Sequence, residues 1–217
     1  MEQKGTPLAL GTEDVWKLLL QYAIPSVIAM TASSLYNITD SIFIGHGVGA
    51  LAISGLAITF PLMNLSAAFG SLVGVGGSAL MSLRLGQKDY ETANHILGNV
   101  LLLNLILGTT YTFFILMFLE PILLFFGASK ATLPFASDFM IIISLGNVVT
   151  HMYLGLNALL RASGNPRRSM FATIYSVLIN VILAPLFIFV FKWGIRGAAL
   201  ATVIAQTSML IWQLNYF

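Results

Sequence analysis

Six stretches of the 217-residue chain, at 15–44, 51–83, 93–119, 132–160, 169–191 and 197–216, are apolar over the length needed to cross a bilayer. At about 1.5 Å per helical residue, roughly 20 residues cover the 30 Å of hydrocarbon. In that medium every backbone N–H and C=O must find a partner inside the protein, which leaves only helices and closed barrels. Barrel strands would be about ten residues of alternating polarity, and no such pattern occurs. Hydrophobic residues make up 58% of the chain and charged residues 8%, against about 45–50% and 25% in soluble proteins. The sequence therefore predicts an all-α membrane protein: a polar segment over 1–14, then one six-helix transmembrane bundle over 15–217. The breaks between spans are short, so neighbouring helices are expected to run antiparallel.

The basic residues give an orientation. Lys4, Lys17, Arg84, Lys88, Arg161, Arg167 and Arg168 fall on the side shared by the N-terminus and the second and fourth breaks, and only Lys130, Lys192 and Arg196 fall on the other. The positive-inside rule then puts the N-terminus in the cytoplasm of a cell bounded by an inner membrane. Trp16 and Trp193 lie at span ends, as interfacial anchors do. The start of the chain lacks the basic, apolar and small-residue regions of a removable signal peptide. The small positive charge is scattered, which gives nucleic-acid binding no support. Without cysteine there are no disulfides and no thiolate chemistry. His46, His95 and His151 share no metal-ligand spacing and read as loop or packing residues. No nucleophile and base pair stands out, so an enzyme is not expected, and no cofactor is implied.

Asp40 is the exception inside the first span. A central Asp costs roughly 2.5–3.5 kcal/mol on insertion scales and usually faces a cavity on an ion, proton or substrate path. Hydroxyl and amide groups surround it in sequence: Ser33, Ser34, Tyr36, Asn37, Thr39 and Ser41. Read this way, Asp40 lies in the outer half of the membrane, and it is expected to be the only acidic side chain at membrane depth; basic ones are expected to be absent there. Asn64, Asn104, Asn147, Asn157, Asn180, Thr202 and Gln206 also fall within spans. The plain use of any one of them is an interhelical hydrogen bond, worth about 0.6 kcal/mol on average. Gly70 and Gly74 form a Gly-x-x-x-Gly pair for close helix packing. Pro25, Pro61 and Pro185 each remove a backbone donor and predict kinks; Pro25 shares its span with Asp40 and is the candidate hinge. Gly45, Gly47 and Gly49 predict a tight turn after the first span.

Four stretches together resemble the multidrug and toxic compound extrusion (MATE) family of transporters. They are Tyr36-Asn37-Ile38-Thr39-Asp40-Ser41-Ile42-Phe43-Ile44-Gly45 with Ala50-Leu51-Ala52 and Pro61; Ser82-Leu83-Arg84-Leu85-Gly86 with Ala93; Leu160-Arg161-Ala162-Ser163-Gly164-Asn165-Pro166-Arg167; and Gly194-Ile195-Arg196-Gly197-Ala198-Ala199-Leu200-Ala201-Thr202 with Gln206. They occur in the family's order over nearly the whole chain. The resemblance implies one bundle of a twelve-helix, two-bundle antiporter, here the amino-terminal half. The missing carboxy-terminal bundle, membrane lipid and a small-molecule substrate are the implied partners, and the exported molecules would be amphipathic or cationic drugs and toxic metabolites.

Carried over by motif, the family's amino-terminal ion site falls on Asp40, Asn180, Ala184 and Thr202, with Tyr36 and Asn37 beside them. Ala184 departs from the pattern, which often has an acid there. A dehydrated Na⁺ needs several oxygens and compensating charge, whereas a proton needs one carboxylate. The expectation is therefore proton coupling through Asp40. A weak Na⁺ site at Asp40, Asn180 and Thr202 is the alternative. The rival functions are a flippase for lipid-linked precursors and a non-transporting membrane scaffold.

Overall fold

The computed structural model describes residues 14–217; the sequence-derived cytoplasmic segment 1–14, with Lys4, lies outside them but for Asp14. The described residues form α1 (Val15–Gly47), α2 (Ala50–Gly86), α3 (Tyr90–Met117), α4 (Leu119–Phe125), α5 (Leu133–Leu145), α6 (Asn147–Ala162), α7 (Pro166–Pro185), a π-helical turn (Leu186–Val190) and α8 (Gly194–Leu214). Four helices, together with α7 and its π turn, are each long and apolar enough to cross a membrane, and α5 and α6 make a sixth crossing as a pair bent by 56°. The six-span expectation thus holds, with one correction. The run at 132–160 is two helices meeting at Gly146. There α8 comes so close that a Cβ on Gly146 would overlap Val203.

Helix ends follow from local chemistry. Asp14 Oδ1 accepts from the backbone N–H groups of Trp16 (2.9 Å) and Lys17 (3.2 Å), capping α1. Gly49, at φ +116°, makes the expected turn between α1 and α2 in a conformation that L side chains rarely adopt. Asp89 Oδ1 caps α3 by accepting from Thr92 N at 3.1 Å. Hydrogen bonding from the Thr92 side chain and then its backbone, with Arg84 nearby, holds the Asp89 carboxyl below its usual range. Pro25 and Pro61 sit inside continuous helices. At Pro185 the missing N–H coincides instead with the change from α-helix to the wider π turn.

The bundle is organised around α2 and α6, which pack on each other more extensively than any other pair, with α3 against both. The glycine pair explains this. A Cβ on Gly70 would lie 3.0 Å from the His151 Cα, and one on Gly74 would lie 2.8 Å from the Gly155 Cα. The two backbones are in contact, as close-packing small residues allow. Gly108 of α3 approaches the Val148 Cα in the same way, at 2.9 Å. On the other side of the bundle α1 lies mainly against α7, and α8 fills the space between α5, α6 and α7. Helix α1 is peripheral: Pro25, Asp40 and Ile44 are its buried residues.

The apolar interior divides along the bundle. Ile44, Leu56, Phe139, Phe187, Ile195 and Ala198 belong to one cluster, and Met81, Val100, Tyr153, Leu156, Leu159 and Leu210 to another. Trp193 packs on Phe187 and Phe191, with ring centroids 5.1 and 5.3 Å away, while Trp16 is exposed.

Substituting Gly74→Leu is expected to destabilise the bundle by about 1–3 kcal/mol, the usual range for overpacking a tight contact. Thermal unfolding in detergent measures this. The open position Gly76, where an added Cβ would meet nothing within 4 Å, is the matched control and should tolerate Ala with far less loss.

Candidate ion-coupling site and bundle cavity

Residues one helical turn apart share a face, and α1 turns Tyr36, Asp40 and Ile44 toward the bundle. Asp40 is 6% exposed. Opposite it, α7 presents Asn180 and α8 presents Thr202, both buried. The Thr202 hydroxyl is a junction. It lies 3.2 Å from the Ala198 carbonyl, to which it donates, 3.1 Å from the Asn180 Nδ2 donor and 2.8 Å from the Tyr36 hydroxyl. Donating once and accepting from Asn180 and Tyr36 completes what one hydroxyl can do. Three helices are thereby tied through one oxygen.

Asp40 stands outside this junction. Its Oδ1 is buried and has no hydrogen-bond partner. One turn after Asn180, Ala184 is fully buried in the same apolar cluster as Ile44, so a methyl group occupies the position where the resemblance often has a second carboxylate. A buried carboxylate oxygen without a donor is costly when ionised. The site is therefore arranged to be completed by a proton, a cation or water.

Two expectations need correction. Asn37 does not join Asp40: although the two are three residues apart on one helix, Asp40 is buried and Asn37 faces outward. It is exposed and lines a separate groove with Ser41, His46, Ala50 and Phe60. Nor is Asp40 the only acid within a span. Asp138 lies five residues into α5, about 8 Å along its axis, and accepts from Arg196 Nη2 at 2.7 Å. That pair is partly exposed, and such pairs contribute about 0–1 kcal/mol. Asp138 has its counter-ion; Asp40 has none among the described residues.

A cavity of about 500 Å³ runs from this cluster between α1, α6, α7 and α8. Tyr36, Asn180 and Thr202 line one end, and Arg161 with Ser169 lines the other. Pro25 also lines it, some 22 Å along α1 from Asp40 by helical rise. A hydrogen-bonded row follows one wall. Asn157 Nδ2 donates to Thr173 Oγ1 at 3.1 Å, the Ser169 hydroxyl donates to Asn157 Oδ1, and Arg161 Nη1 donates to Ser169 Oγ at 3.2 Å. Ser169, Thr173 and Arg161 were not singled out from the sequence as cavity residues. The signal was a helical one: Ser169, Thr173, Ser176 and Asn180 recur along one face of α7, and Tyr153, Asn157 and Arg161 recur at intervals of four on α6. Arg161 is exposed and lies in the last turn of α6, at the end of its span and not at membrane depth.

A second polar cluster lies between α2 and α6. The Ser66 hydroxyl donates to Asn147 Oδ1, and His151 Nε2 is 3.1 Å from the same Ser66 oxygen. With the hydroxyl hydrogen directed at Asn147, His151 must donate through Nε2. His151 is thus a packing residue, fully buried under Gly70.

Replacing Thr202 by Val keeps its volume but leaves Tyr36 and Asn180 without their shared acceptor. The expected loss is about 1–3 kcal/mol in thermal or denaturant unfolding, with Thr202→Ser recovering most of it. Equal losses for Val and Ser would contradict the hydrogen-bonded junction.

Known proteins share the sequence and the fold. A family model described as MatE matches residues 25–186. The chain is 32% identical over 203 residues to the multidrug export protein MepA of Staphylococcus haemolyticus (strain JCSC1435), covering 94% of this chain and 45% of that protein. Among solved structures, an outward-facing multidrug resistance MATE family transporter of the MOP superfamily superposes with a TM-score of 0.91 at 27% identity, over 99% of this chain and 48% of that one. A MATE protein in a bent conformation superposes with a TM-score of 0.88 at 28% identity, over 97% of this chain and 46% of that one. The chain spans about half the length of the curated relatives it matches. With the family model covering most of its residues, the chain belongs to the MatE family, in which it corresponds to the amino-terminal half.

Proposed function

We propose that the chain is the amino-terminal bundle of a cation-coupled secondary antiporter that exports amphipathic or cationic small molecules, with the proton as its coupling ion. The observation that carries this reading is Asp40: a buried carboxylate with one oxygen unpartnered, beside Ala184 rather than a second acid. Protonation removes the charge without requiring any further ligand. Sodium would need several oxygens at once. Here Tyr36 and Thr202 are bonded to each other, Asn37 lines another groove, and Ala184 supplies no ligand. The balance of donors therefore favours the proton.

Coupling requires that the proton bind one conformation better than another, since a ligand shifts an equilibrium only by its differential affinity. Asp40 lies on the peripheral helix α1, whose main contact is α7. Neutralising Asp40 changes how closely that face of α1 can pack on α7, and Pro25 is the proposed pivot. Rocking of two bundles about a central site is a common design for alternating access, and the second bundle is the partner this one requires. In this reading the seven basic residues on the amino-terminal side face the cytoplasm, and Asp40 meets protons from outside.

The test is efflux by the transporter assembled with its second six-helix bundle, in proteoliposomes under an imposed pH gradient or an imposed sodium gradient. The pH gradient alone should drive export. Asp40→Asn should reduce proton-driven export about tenfold or more, within the range of typical coupling free energies. Undiminished proton-driven export by that variant, or export driven by sodium alone, would refute the assignment.

A further inference from the structure

Arg161 lies in the last turn of α6, where any cation is favoured by about 0.3–1 kcal/mol through the helix dipole. That accounts for a basic residue at this position but not for its surroundings. Among the residues lining the 500 Å³ cavity, Arg161 alone carries a formal charge. A second cavity of about 440 Å³, reached from between α1 and α2, also ends on Arg161. The guanidinium thus stands where two cavities meet. Its one hydrogen bond is to the neutral hydroxyl of Ser169, although a guanidinium has five donors. The ion pairs among the described residues are Arg84–Asp89 and Arg196–Asp138, and Arg161 is in neither.

Two further observations concern the same place. The row Thr173, Asn157 and Ser169 ends on Arg161, whose side chain is exposed at the mouth of the cavity and bonded to its wall through Ser169. Helix α7 begins at Pro166, which also lines the cavity, and Asn165 makes no side-chain cap. The positive end of α7 therefore adds to the charge of Arg161. Away from this end the lining mixes apolar Ala29, Met30, Leu154, Val177 and Ala205 with neutral polar groups such as Ser33, Ser176 and Gln206. A volume of 500 Å³ lies within the usual range of small-ligand sites, about 300–1,000 Å³.

We propose that the Arg161 end of this cavity binds the anionic headgroup of an amphipathic molecule, a phosphate or carboxylate paired with the guanidinium, whose apolar tail lies along α1, α7 and α8. The headgroup can come from an anionic phospholipid of the bilayer or from a soluble single-chain carboxylate. This goes beyond the coupling role of Asp40, which lies past the other end of the cavity, and binding can be measured without transport.

Native mass spectrometry of the protein in neutral detergent provides the test, with phosphatidylglycerol and phosphatidylcholine of identical chains as probes and laurate as competitor. The wild type should retain phosphatidylglycerol about tenfold better than phosphatidylcholine, as expected for charge-assisted hydrogen bonds worth some 1.4 kcal/mol or more. Arg161→Gln should erase the preference. Arg161→Lys should keep a reduced preference, because the charge remains but the planar fork is lost; it also serves if the Gln variant fails to fold. Arg167→Gln, on the exposed start of α7, should leave the preference unchanged. Displacement of phosphatidylglycerol by laurate would show a site open to either source. Arg161-dependent retention of phosphatidylglycerol that laurate cannot displace would assign it to bilayer lipid, and Arg161-dependent laurate binding alone would assign it to a solute. Persistence of the preference in Arg161→Gln, its loss in Arg167→Gln, or the absence of Arg161-dependent binding of either anion would overturn the proposal.

Discussion

The close approach of α2 and α6 sets the frame for everything else in the bundle. In hydrocarbon there is little hydrophobic force to bring two helices together, so association rests on van der Waals contact and on hydrogen bonds between helices. Gly74 against Gly155 and Gly70 against His151 let the two backbones touch. Around that contact α3 packs on both helices, and α8 packs on α6. Helix α1 is left at the edge, against α7, with only three of its residues buried. The rigid pair and the lightly held helix are two consequences of where the small residues lie.

The polar groups follow the same division. Between α2 and α6, Ser66, Asn147 and His151 bond to one another inside the tightly packed region. Between α1, α7 and α8, the polar groups meet across a cavity, and Thr202 is the junction through which Tyr36 and Asn180 are tied. The first arrangement pairs Ser66 with both neighbours, while Asn147 Nδ2 and His151 Nδ1 are buried without a partner. The second places them beside α1, the spanning helix with the fewest buried side chains, and next to a carboxylate oxygen that has no donor. A change in the charge of that carboxylate would act on the contact between α1 and α7, the main contact of α1.

The spans, their number and the antiparallel order were legible in the sequence because apolar length is nearly the whole requirement for crossing a membrane. The break at Gly146 was not. It depends on Val203 of α8 arriving at that level, and no local pattern reports a contact between spans 57 residues apart. The inward set of Tyr36, Asp40, Asn180 and Thr202 could be anticipated from motif positions. Asn37 was not separable by helical rotation, because residues three apart on a helix are neighbours. Asp138 was overlooked because the run around it is so apolar, and its partner Arg196 lies on another helix. Arg161 read as a loop residue because α6 runs two residues past the expected span end, to Ala162, and a charge in the last turn of a helix can point along the bundle as easily as away from it.

The account stands or falls on Asp40 as the group that takes up the coupling proton. Infrared difference spectroscopy of the protein in membranes, across a pH titration with and without sodium, observes that event directly. The account predicts a protonated-carboxyl stretch that grows on acidification, disappears in Asp40→Asn and does not respond to sodium. A band that persists in Asp40→Asn, or one that sodium displaces, would contradict it.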